Sequence, residues 1–111
     1  MNRIMQHSYV DSFRTGACDF TYRSQLPGLE TSVDALRQWY SGLDSDLEAA
    51  VAALSDDDLA TRQIDRGGWS VSPQMQLHVY NEALLIFYGK VSVYLKAMGR
   101  ERPKQWRDWI A

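Results

Sequence analysis

The residues able to do chemistry are few. The chain has two histidines, one cysteine and 14 acidic residues. His78 and Glu82 stand four residues apart. On a helix that spacing puts both side chains on one face, where an imidazole and a carboxylate reach a common point. With His7 brought in from another helix, two histidines and one carboxylate make an acceptable zinc donor set. The same spacing also makes a plain helix-surface hydrogen bond. Cys18 has no partner for an internal disulfide and no surrounding Cys-His motif, and a lone cysteine fits a reducing compartment.

Glu82 lies in a segment apolar on most helical faces. An isolated buried charge is too costly to keep, so the sequence predicts a paired Glu82. His78, Arg3 and Arg37 are the candidate partners. Glu82 is then the polar floor of a small pocket or a general base. The plainer reading, which we prefer on the sequence, is a buried pair that fixes helix register. Tyr80, Tyr88, Tyr94, Trp69, Trp106 and Trp109 are either core or pocket wall. The expected ligand pocket is His78, Glu82, Tyr80, Tyr88 and Trp69. Gly89 and Ser92 share the His78 and Glu82 face, where small side chains permit close helix approach across a dimer interface.

Positioning these residues falls to helices. At 111 residues, with 45% hydrophobic and 23% charged residues, the chain is globular in composition and sized for a single domain. A net charge of -2 gives no general attraction to nucleic acid. Residues 1–10 lack a signal-peptide apolar run, and Ala83 to Tyr88 is too short to cross a bilayer. A soluble, cytoplasmic protein is expected.

Thr31 is expected to cap a helix whose apolar residues fall at Val33, Leu36, Tyr40, Leu43, Leu47, Ala50 and Leu54. Alternating three- and four-residue spacing draws one stripe, the repeat of helices packed nearly antiparallel in a bundle. Ser55 to Asp58 is a capping signature for a short helical turn. Gly67-Gly68 breaks the chain, after which Trp69 and Val71 are expected to plug the bundle end. Ser72-Pro73 opens the longest helix, which runs to Met98 and stops at Gly99. Its two apolar stripes, one through Leu77, Leu84, Val91 and Met98 and one through Val79, Ala83, Ile86, Val93 and Ala97, predict burial on most sides. Beyond Pro103, the spacing of Trp106, Trp109 and Ile110 predicts a short terminal helix. Ile4, Val10 and Phe13 suggest a first helix over 2–14, and 16–28 reads as a long connection. Three substantial helices cover a buried central one poorly, and a second copy of the chain supplies the missing surface. The acidic stretch from Glu30 to Asp65 and the basic C-terminal end favour such pairing.

Several of these residues resemble the last helix of the DinB-like (YfiT-like) metalloenzyme family. They are Gly68-Trp69-Ser70, Leu77-His78-Val79, Gly89-Lys90 in place of Gly-Gln, and the closing run Tyr94 to Gly99. Asn2-Arg3-Ile4 is similar to the Asn-His-Ile that often ends an earlier helix there. The resemblance implies an all-α helical bundle of three main helices plus a short terminal one, shortened at the N-terminus and completed by dimerisation. It also implies a zinc or nickel site built from an earlier-helix histidine and a His-x-x-x-His pair. Here Glu82 falls near the first position of that pair, Ile86 or Phe87 at the second, and Arg3 near the earlier ligand. An apolar side chain and a cation cannot hold a metal, so the site looks dismantled. The expected function is a metal-free, homodimeric binding or interaction module with room for a small-molecule ligand. The alternative is a divalent-metal-dependent hydrolase or thiol transferase that uses His7, His78 and Glu82. Nucleic acid and membrane are not expected partners.

Overall fold

The computed structural model describes residues 2–109, with side chains from Gln6 onward. Arg3, Ile4 and Ile110 therefore lie outside the described side chains. The chain divides into two compact units, Met1–Leu77 and His78–Ala111. It is mostly helical, as expected for the all-α class. The long helices are α1 (Asn2–Thr15), α2 (Val33–Ala52) and α4 (Pro73–Ala97), and the short ones are α3 (Asp56–Thr61) and α5 (Lys104–Trp109).

In the first unit α1 packs on α2. Phe13, Ala50, Ile64 and Val71 form the core, with Leu47, Val51 and Leu54 against it. The α2 stripe therefore faces inward from Leu36 to Leu54 where the periodicity placed it, whereas its first residue, Val33, is 72% exposed. Polar ties run along the same contact: Gln6 Nε2 donates to Asp44 Oδ1 at 2.6 Å, and Arg14 lies 3.3 Å from Asp46. The cap of α2 is Ser32 rather than Thr31. Ser32 is extended (φ -130°, ψ 116°) and its Oγ accepts the Ala35 N–H. The Thr31 N–H instead donates to the Gly28 carbonyl, inside the turn that leads into the helix. Ser55 and Asp58 complete the expected capping box of α3.

One element was not expected. Ile64–Asp65 (β1) and Ser70–Val71 (β2) pair antiparallel, with Ile64 opposite Val71. Gly67 and Gly68 make the tight turn between them. Their φ values of 84° and 106° lie in the left-handed region, which glycine enters without the Cβ penalty of other residues. Because strand residues alternate, Ile64 and Val71 enter the core while Asp65 and Ser70 face out. A bridge from Ala17 to Asp65 ties the segment after α1 to this hairpin. The expected plug is thus half right: Val71 is buried, but Trp69 is 56% exposed.

In the second unit, α4 ends at Ala97 and is closed by Gly99, whose φ is 67°. The Arg100 N–H reaches back to the Leu95 carbonyl and the Gly99 N–H to Lys96, satisfying the last free carbonyls. The chain reverses, and Arg102 Nη1 donates to buried Ser92 Oγ at 3.1 Å. This sets α5 so that the Trp106 ring lies 5.2 Å from that of Tyr88.

The expectation of an α4 buried on most sides is not met. Leu85 is 56% exposed, Ile86 59%, Val93 68%, Tyr94 69% and Met98 68%. The two stripes were read correctly as apolar, but these members of them are left exposed.

Candidate functional site

Tyr80 is buried. His78 and Glu82 form the expected pair, with Nε2 and Oε1 3.2 Å apart, but their side chains are 63% and 59% exposed. The expectation of a buried Glu82 is thereby corrected. Residue 82 falls on the side of α4 that also exposes Ile86, so its carboxylate meets water and needs no buried partner. Arg37, a proposed partner, lies 3.6 Å from Asp34 on its own helix.

Tyr88 belongs to a different feature. With Leu85, Gln105, Trp106 and Trp109 it lines an open cleft of about 510 Å³ between α4 and α5. Trp69 stands at the hairpin of the first unit, where the Arg66 guanidinium lies 5.0 Å from its ring centroid. Of the five expected pocket residues, the structure therefore pairs His78 with Glu82, buries Tyr80, and gives Tyr88 and Trp69 other neighbours.

His7 stacks on Tyr22, ring to ring at 3.6 Å and 7°, and its Nδ1 is buried with no hydrogen-bond partner among the described residues. No group of three or more His, Cys, Asp or Glu stands close enough to hold a metal ion among the described residues.

A buried polar cluster in the first unit was missed by sequence reasoning. Gln76, in the first turn of α4, is fully buried. Its Nε2 donates to Ser12 Oγ at 2.8 Å and to Cys18 Sγ at 2.9 Å. Its Oε1 accepts from Arg66 Nη1 at 2.6 Å. Arg66 also reaches the Tyr9 hydroxyl and lies 5.4 Å and 5.5 Å from the Tyr9 and Phe20 ring centroids. Stacking on aromatic faces suits a partly desolvated guanidinium. The available signal was polar residues at inward positions: Ser12 immediately before core Phe13, and Gln76 four residues after the cap Ser72.

Two carboxylates are shifted, both within local turns. Asp19 is held below the ordinary aspartate range by hydrogen bonds from the Thr21 hydroxyl and backbone, and Asp58 by those from the Ser55 backbone and hydroxyl. Both stabilise a loop or helix start. Neither adjoins His78 or Glu82 in sequence.

No protein-family model, curated protein or solved structure matches the chain. Among the described residues no helix is long and apolar enough to cross a membrane.

Proposed function

We propose that the chain is a non-catalytic, metal-free binding module of DinB-like type that works as a homodimer. The observation that carries this reading is the run of exposed apolar side chains on α4, namely Leu85, Ile86, Val93, Tyr94 and Met98. Water contact with large apolar groups is unfavourable by about 25 cal/mol per Å² of apolar surface, so exposed apolar side chains gathered on one helix favour covering it with a partner. A second copy offers the same apolar surface in return. The family resemblance supports a helical bundle, and a partner copy would supply helices to cover the exposed side of α4. Sedimentation velocity or light scattering at micromolar concentration tests the reading. A mass near twice 12.7 kDa is expected, and a monomer of 12.7 kDa at all concentrations would remove it.

A second reading, small-molecule binding, is favoured by the cleft of Tyr88, Trp106 and Trp109. Flat apolar rings suit such a wall, since indole and phenol faces stack on them. Quenching of tryptophan fluorescence by a panel of planar aromatic compounds, lost in Trp106→Ala, is the expected result. Equal quenching in the variant would discard the cleft.

A further inference from the structure

We infer that two copies of α4 cross antiparallel with Gly89 on the two-fold axis, so that Glu82 of each copy meets the partner's Lys96. This rests on the homodimer reading and adds its geometry. Residues 82, 86, 89, 93 and 96 follow one another at spacings of four, three, four and three, which keeps them on one side of a helix. Ile86 and Val93 on that side are exposed, with Leu85 on its flank, and so are Glu82 and Lys96 at its two ends.

Gly89 sits at the middle of this face. A Cβ added there would meet nothing within 4 Å, so its backbone borders open space. Its φ is not positive, unlike that of the turn and cap glycines. Glycine inside a helix is destabilising relative to alanine. Neither backbone conformation nor crowding within the chain calls for it. Close approach of a second helix does, because the absent side chain lets two backbones come together.

The charges then choose the direction. Glu82 and Lys96 lie seven residues to either side of Gly89, about 10.5 Å along the axis at 1.5 Å per residue. Leu85 and Val93 lie four residues to either side. A two-fold axis through Gly89 therefore brings each Glu82 to the partner's Lys96 and each Leu85 to the partner's Val93. A parallel pairing would instead set Glu82 against Glu82 and Lys96 against Lys96. The antiparallel contact is self-complementary, as a closed dimer requires.

Two experiments test the register. On a Cys18→Ser background, Gly89→Cys is expected to oxidise to a covalent dimer, because a residue on the axis faces its own copy. Glu82→Cys on that background is not expected to link to itself, since the two positions are roughly 20 Å apart. In the otherwise native chain, Glu82→Lys and Lys96→Glu are each expected to raise the dimer dissociation constant about tenfold, and the double variant to restore it. Self-linking at 82, failure to link at 89, or single variants that leave the constant unchanged would overturn the register while the native dimer stands. A native chain that is monomeric in sedimentation would remove the homodimer reading itself, and the register with it.

Discussion

Gln76 Oε1 accepts a hydrogen bond from Arg66 Nη1 at 2.6 Å, while Gln76 Nε2 serves both Ser12 and Cys18. One buried amide thereby joins the hairpin, α1, the segment after α1 and the start of α4. Arg66 Nε is buried with no hydrogen-bond partner among the described residues, so the guanidinium depends on its bonds to Gln76 and Tyr9. Gln76→Leu keeps much of the volume but leaves Arg66 and Ser12 each without one partner. A loss of about 2–6 kcal/mol is expected in urea unfolding, at about 1–3 kcal/mol for each of the two stranded polar groups. A loss under about 0.5 kcal/mol would mean that water replaces the amide.

The core makes a second test. Phe13 is 2% exposed and packs with Ala50, Ile64 and Val71. Phe13→Ala should cost about 3–5 kcal/mol, a large share of what a domain this small holds. Thermal unfolding by circular dichroism reads it. The same substitution at Trp109, which is 83% exposed, should change stability by less than about 0.5 kcal/mol.

The cap of α2 separates two neighbouring hydroxyls. Ser32 Oγ accepts the Ala35 N–H at 3.1 Å. Ser32→Ala should therefore destabilise by about 1 kcal/mol, and Thr31→Ala by clearly less. Equal effects would return the cap to Thr31.

Acid acts on α3 through Asp58. Hydrogen bonds from Ser55 hold this carboxyl below its ordinary value of 3.8 in the folded chain. Its contribution to stability is therefore present above the ordinary aspartate range and is lost as pH falls through the lower folded value. Amide exchange over 56–61 should quicken in that acid window. In Asp58→Asn the same exchange should not change across the window beyond its intrinsic pH dependence, because the side chain no longer titrates.

His78 and Glu82 provide the test of metal-free function. An exposed i, i+4 pair is worth about 0.3–0.5 kcal/mol, so His78→Ala should barely move the unfolding midpoint. Elemental analysis of protein purified without a nickel column is expected to find no stoichiometric zinc or nickel. Metal present at one equivalent and lost in His78→Ala would restore the metalloenzyme alternative with His7, His78 and Glu82.

Much of this protein was legible from local chemistry. The α2 stripe, the Ser55–Asp58 box, the Ser72-Pro73 start of α4 and the Gly99 stop follow from side-chain spacing and backbone freedom within a few residues, which a sequence displays directly. Other features depended on distant parts of the chain. Whether Thr31 or Ser32 caps α2 turned on the preceding turn at Gly28. The hairpin needed Ile64 and Val71 to find the same core, in strands too short to show alternation. Glu82 was assigned a buried place because its helix is apolar around most of its circumference. Periodicity reports which faces seek cover, whereas only the packed chain decides which faces receive it, because burial depends on the number and placement of neighbours and not on the helix's own residues.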